Sequence, residues 1–204
     1  MDERAHWHSR FVHSRRVRVL CENLAPLFPR DATVLDVGCG DGLLAHLISQ
    51  VRPDLQISGI DVLARDKAWI PVATFNGKTV PRADKSIDVV MFVDVLHHTD
   101  NPMVLLREGA RVARRAVIMK DHTMDGLLAY STLKFMDDVG NKRYGVTLPH
   151  NYWREDKWRD AFDTLGLRIA EWKHHVGLYP WPASLLFGRR LHFVVKLEPE
   201  TAVS

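Results

Sequence analysis

The chain has 204 residues, of which 46% are hydrophobic and 26% charged; that suffices for one domain (1–204) with a sizeable core and excludes a disordered chain. Lysine and arginine exceed aspartate and glutamate by 28 to 25, a formal +3 that is too small to argue for nucleic acid, so Arg15, Arg16 and Arg18, Arg111, Arg114 and Arg115, and Arg189 and Arg190 read as solvated surface. The two cysteines are Cys21 and Cys39, and the second lies in a glycine-rich run where a disulfide would obstruct. A reducing, cytoplasmic compartment is therefore expected. The first residues lack an apolar signal segment, and no run reaches the roughly 18 apolar residues of a membrane span.

In chain order, residues 1–11 read as a loose leader within an N-terminal helical segment, 1–30. From Phe11 to Phe28 apolar residues recur three or four apart, as on one helix face, with Pro26 and Pro29 ending it. A strand at Thr33–Val37 then runs into Gly38-Cys39-Gly40-Asp41-Gly42 and a helix from about Leu43 to Val51. Leu55–Ile60 reads as a second strand and Val72–Phe75 as a short third, before the turn pair Asn76-Gly77. The continuous apolar run from Ile87 to Val93 reads as a strand covered on both faces. Asn101-Pro102 opens a helix to about Ala113, and Ala116–Met119 is a fifth strand ending at Lys120-Asp121-His122. Alternating strands and helices call for a parallel sheet flanked by helices. The alternation lapses over about 121–153, a stretch long enough to be read as functional, with an amphipathic run at 124–138 and a Gly-rich aromatic turn at 140–153. A helix at Glu155–Leu165 and strands at Leu167–Val176 and Leu191–Leu197 close the chain.

An apolar strand feeding a tight glycine turn and a helix start lets bare backbone approach a ligand, so Val34–Gly42 reads as a nucleoside site. Its Gly-x-Gly-x-Gly spacing differs from the Gly-x-Gly-x-x-Gly of dinucleotide sites. Asp61, at the tip of the second strand, is where an acid would meet a ribose diol.

The chain resembles the class I S-adenosylmethionine-dependent methyltransferases of the small, type 11-like kind. The resemblance rests on VLDVGCGDG at 34–42, GID ending at Asp61, FNG at 75–77, SIDVVMFVDVLHHTDNP at 86–102 and the closing hairpin. It implies a doubly wound, mostly parallel seven-stranded sheet whose last strand is antiparallel. It also implies S-adenosylmethionine as cofactor, held by Asp36, Gly38, Cys39 and Gly40, with Asp61 and Val62 at the ribose. Asn76 and Gly77 would meet the adenine edge, where the family usually has Asp rather than Asn, and Asp94 and Leu96 would border the methionine and its methyl group.

For a hydroxyl acceptor a base near neutral pKa helps, and histidine is the natural type. His122, His150 and His97 are the candidates, against structural roles for the His97-His98 pair and solvated roles for the others. Tyr130, Tyr152 and Trp153 are expected at the acceptor, unless they simply pack. The run at 124–138 is expected as a lid over that pocket, with a dimer contact as an alternative. A membrane-surface helix fits it poorly because Asp137 and Asp138 stand beside Lys134. No metal site is expected, because the histidine spacing matches no metal motif and neighbouring histidines diverge in a strand or helix. The expected reaction is methyl transfer to a small, apolar or aromatic acceptor, with oxygen favoured and no nucleic-acid partner. An RNA or protein methyltransferase, a non-catalytic scaffold and a dehydrogenase are the alternatives, and the oligomeric state is left open.

Overall fold

In a computed structural model, residues 15–63, 67–141 and 149–200 are described; the leader at 1–11 and most of the turn after Gly140 lie outside them. A helix, α1, covers residues 15–24. It is followed by β1 (Thr33–Val37), α2 (Leu43–Val51), β2 (Gln56–Asp61), β3 (Val72–Thr74), β4 (Ile87–Val93), α3 (Pro102–Val112) and β5 (Ala113–His122). Then come α4 (Ala129–Asn141), α5 (Glu155–Thr164), β6 (Leu167–Lys173), α6 (Ser184–Phe187) and β7 (His192–Pro199). The strands form one seven-stranded sheet in the order β3-β2-β1-β4-β5-β7-β6. β1 to β5 run parallel and β7 lies antiparallel between β5 and β6.

Period-two alternation splits the central strands between two apolar layers. Val34, Val89 and Met91 pack with Leu20, Leu24 and Ile48 on the α1 and α2 side. Leu35, Val90 and Phe92 pack with Leu105, Trp158 and Phe162 on the α3 and α5 side. A strand covered on both faces must be apolar throughout, which is what Ile87–Val93 offers.

The fifth strand is longer than its apolar residues suggest. Lys120, Asp121 and His122, expected where that strand ends, continue it and pair with Val194, Phe193 and His192 of β7. They are tolerated because their side chains satisfy one another, as described below. The segment after β5 is closed by a bridge between Thr123 and Trp153 and by Met124 N–H donating to Trp153 O at 2.9 Å. Within it, α4 turns Leu133 and Ala129 inward against Tyr152 and Leu191.

Candidate active site

The glycine run leaves β1 with Gly38, Gly40 and Gly42 all at positive φ, 77°, 59° and 76°. A Cβ at Gly38 would meet Val95 Cγ2 at 2.5 Å, whereas at Gly40 it would meet nothing within 4 Å. The first glycine is thus a packing requirement, and the second leaves its space to a ligand. The turn is pinned to β2, since Gly38 N–H donates to Ile60 O at 2.7 Å. Asp61 completes the fixing, its Oδ2 accepting from Gly40 N–H at 2.8 Å and its Oδ1 from Leu63 N–H at 2.9 Å. Beside it, Val62 is exposed and touches the open side of Gly77, where a Cβ would lie 3.0 Å from Val62 Cγ1. Asn76 is turned inward on its own loop, Oδ1 accepting from Lys78 N–H at 2.9 Å and Thr79 N–H at 2.8 Å. The side-chain oxygen expected at the adenine edge is therefore already shared by two backbone donors.

A cleft opens beside the loop, lined by Arg16, Asp36, Gly38, Cys39, Asp41 and Asp94 among others. Burial, and then the charge of Asp61, push the Asp36 carboxyl up to about 7. Burial next to Asp36 pushes the Cys39 thiol up to about 12, which keeps it protonated. Leu96 does not line the cleft. Its side chain is buried in the main core, and only its N–H faces the polar cluster, donating to Asp121 Oδ2 at 3.2 Å.

Asp94, at φ 56°, joins this cleft to a second region at the ends of β4, β5 and β7. Its Oδ2 accepts from Arg16 Nη2 at 2.5 Å and its Oδ1 from Lys120 Nζ. Burial alone would raise the Asp94 carboxyl, but Lys120 and Arg16 hold it well below the usual carboxylate range. Lys120 is fully buried, 3.3 Å from His192 Nδ1. His122 Nδ1 lies 3.7 Å from Asp94 Oδ1, 3.5 Å from Asp121 Oδ1 and 3.4 Å from His97 Nδ1. His97 Nδ1 meets Asp121 Oδ1 at 2.6 Å, and its Nε2 lies 3.4 Å from Asp137 Oδ2. Tyr152 donates its hydroxyl to Asp137 and lies 3.2 Å from His150 Nδ1.

Two of the candidate bases, His97 and His122, differ in protonation. Burial opposes a charge on His97, yet Asp121 and Asp137 overcome it and raise the imidazole to about 10. Such a ring holds its proton at neutral pH. Burial, then the charges of Lys120 and His97, lower His122 well below its ordinary value and keep it neutral. His150 sits at the rim at φ 49°, its Nε2 3.2 Å from Asp138 Oδ1. Of the aromatic candidates, Tyr152 is buried against the cluster, and Tyr130 is half exposed with its ring T-shaped to Tyr152 at 6.1 Å. Trp153 instead packs into the core, 4.7 Å from the Trp158 ring, because the Thr123 bridge turns it under the sheet end.

His97, His98 and Asp137 each bring one ligand atom within 4.8 Å of the others, as do His97, Asp121 and His122. The expectation that neighbouring histidines diverge assumed a strand or helix, but Leu96–His98 is a 3-10 turn, which lets the rings converge. In the second set the ligand atoms already engage one another. Sequence reasoning missed Arg16, Lys120, Asp121, Asp137 and His192, whose only signal was charge beside apolar runs.

A profile described as a methyltransferase domain matches residues 7–171. The chain belongs to the methyltransferase-domain family, the class I S-adenosylmethionine-dependent methyltransferases. It is 29% identical over 110 residues to 27-O-demethylrifamycin SV methyltransferase of Amycolatopsis mediterranei, covering 47% of this chain and 40% of that protein. It is 42% identical over 50 residues to ribosomal RNA small subunit methyltransferase G of Acidothermus cellulolyticus, covering 24% and 22%. The chain thus spans less than half the length of these curated relatives. A chain in the Haloferax volcanii complex between the Trm112 methyltransferase activator and a methyltransferase superposes with a TM-score of 0.68 at 15% identity, covering 97% of this chain and 96% of that one. This last likeness is one of fold.

Proposed function

We propose that this methyltransferase transfers the methyl group of S-adenosylmethionine to the oxygen of a small acceptor with an apolar or aromatic body. The carrying observation is that Asp94 joins a glycine-loop cleft on one side to the neutral His122, 3.7 Å away, on the other.

The residues present fit the cofactor. Gly40 opens onto empty space, and the buried Asp36 carboxyl on the cleft wall makes no hydrogen bond among the described residues, as suits a place for an ammonium group. Asp61 keeps further lone pairs for a ribose diol besides those used by Gly40 and Leu63. Val62 and Gly77 offer an apolar edge to the base. Gly38 and Cys39 line the methionine end, where Arg16, also on the cleft wall, has guanidinium donors besides the Nη2 paired with Asp94 to offer a carboxylate. When bound, the cofactor supplies an electrophilic methyl group on a positively charged sulfur, so the protein has to align the acceptor and take up a proton.

His122 takes that proton in this reading, because it is neutral and so has a free acceptor, and Asp94 and Asp121 offset the burial and the charges of Lys120 and His97 that oppose its imidazolium. His97, protonated between two carboxylates, positions Asp121 rather than acting as base. His150 and Tyr152 border the entrance, with Tyr130 reaching Tyr152 from α4, which acts as a lid.

A screen of cofactor turnover over phenols, amines and lipids tests the reading. Oxygen acceptors should be methylated, with His122→Gln lowering kcat about a hundredfold while cofactor affinity stays unchanged. Turnover confined to amines would overturn the oxygen assignment. The likeness to an RNA methyltransferase favours a second reading, a macromolecular acceptor, which methylation of RNA and of none of the small molecules would establish.

A further inference from the structure

Two segments over the acceptor region turn apolar side chains outward. The turn before α4 exposes Leu127 by 83% and Leu128 by 66%, and the segment carrying α6 exposes Trp181 by 80%, Leu185 by 67% and Leu186 by 62%. Scattered exposed leucines need no explanation, but a cluster of this kind marks an interaction surface. Arg189 ties the two segments together. Its Nε donates to Leu186 O at 3.0 Å, its Nη1 to Leu127 O at 3.2 Å and its Nη2 to Thr132 Oγ1 at 3.2 Å. All three acceptors are uncharged, and among the described residues Arg189 makes no ion pair.

The same segments cover the acceptor region. Ala129 and Leu133 of α4 pack on Tyr152 and Leu191, and Thr123 Oγ1 donates to Arg190 O at 2.6 Å. Two residues beyond Arg190, His192 reaches Lys120. The patch and the histidine cluster are thus the outer and inner sides of one roof.

Leucines and a tryptophan around an unneutralised guanidinium are the composition of an interfacial element. The apolar chains suit the acyl boundary, tryptophan suits the headgroup level, and arginine reaches anionic headgroups. The charges that argued against such a surface in the sequence are placed elsewhere. Asp137 is buried against Tyr152 and His97, and Asp138 turns to His150. Arg189, distant in sequence, adds the cation. No helix among the described residues is long and apolar enough to cross a membrane.

We propose that this face seats the protein on an anionic lipid bilayer, and that the acceptor is an amphiphile held in that bilayer whose polar end reaches the histidine cluster. The acceptor class rests on the methyl-transfer reading above; the docking does not.

The test is sedimentation of the full chain with sucrose-loaded phosphatidylcholine vesicles, with and without phosphatidylglycerol. The protein should bind the vesicles that contain phosphatidylglycerol. Leu127→Ser combined with Leu186→Ser should lower partitioning about tenfold or more. Arg189→Gln should lower it about fivefold and reduce its salt sensitivity. Val51→Ser, at an exposed apolar residue outside the patch, should change nothing. Failure of the wild type to bind either vesicle overturns the proposal, as does a concentration-dependent dimer that the double variant abolishes without any vesicle binding. Calorimetry with S-adenosylmethionine separates the two readings. Vesicle binding without cofactor binding would sink the methyl-transfer reading and leave the docking; cofactor binding without vesicle binding would do the reverse.

Discussion

The two ends of this site are made of different material. Around β1 and β2 it is largely backbone: a glycine turn at positive φ, amides held on Ile60, and two carboxylates, all within residues 34–77. At the ends of β4, β5 and β7 it is side chain, with Arg16, Asp94, Lys120, Asp121, His122 and His192 drawn from nearly the whole chain and mostly buried. The first end depends on conformation, and a residue there is judged by the space it leaves. The second depends on charge neutralisation, and a residue there is judged by what its removal strands.

The largest effect should come from stranding a charge. Asp94→Ala leaves Lys120, whose side chain has 0% exposure, without its carboxylate, and should cost about 3–5 kcal/mol of unfolding free energy in urea. Adding Lys120→Met should recover most of that loss, because a buried pair replaced as a pair is nearly neutral. A single-variant loss below about 1 kcal/mol would mean a solvated pair and would erase the contrast between the two ends.

At the backbone end the matching test is Gly38→Ala against Gly40→Ala. Both impose a left-handed conformation on alanine, but only Gly38 also drives a methyl group into Val95. Gly38→Ala should cost about 2–4 kcal/mol and Gly40→Ala about 1 kcal/mol, while both weaken cofactor binding. Equal stability losses would show that the loop has no separate ligand-facing glycine. Asp61→Ala comes next. Loss of the diol acceptor and of the Gly40 and Leu63 contacts should raise the cofactor dissociation constant about tenfold to a hundredfold with only about 1 kcal/mol lost in stability. Unchanged affinity in calorimetry would remove Asp61 from the site.

The same contrast decides what could be read from sequence. The alternation of strands and helices, the closing hairpin and the glycine loop follow from local patterns, since an apolar run, a glycine turn and a helix start are neighbours in the chain, whereas the seven-stranded sheet with its antiparallel last strand was implied by the family resemblance. Lys120-Asp121-His122 was legible only as the end of a strand, because nothing in those three residues says that Asp94 and His192 will lie beside them. Arg16 read as one of three surface arginines until α1 placed it across from Asp94. Trp153 and Leu96 were assigned to the site by position along the chain, and packing turned both into the core. The apolar face around Arg189 joins segments some sixty residues apart, so neither segment shows it alone.

Asp36 tests whether the conformational end also carries electrostatics. Its carboxyl, raised to about 7 by burial and by Asp61, is protonated in much of the free protein at neutral pH. A cationic ammonium beside it favours the ionised form, so cofactor binding should release a proton. The free protein binds that proton below pH 7 and the complex does not, so affinity should fall as pH drops through 7, by up to about tenfold per pH unit, and level off above it. Stability of the free protein runs the other way. The folded-state pKa lies above the unfolded value of 3.8, so the folded form binds more protons between the two, and stability declines as pH rises from about 4 to 7. Asp36→Asn should therefore stabilise the free chain at pH 8 while weakening cofactor binding there and flattening its pH profile. Calorimetry in two buffers of different ionisation enthalpy measures the released proton directly. If wild type and Asp36→Asn release the same number at pH 7, Asp36 does not face the ammonium group, and the electrostatics of the cleft rest on Arg16 and Asp61.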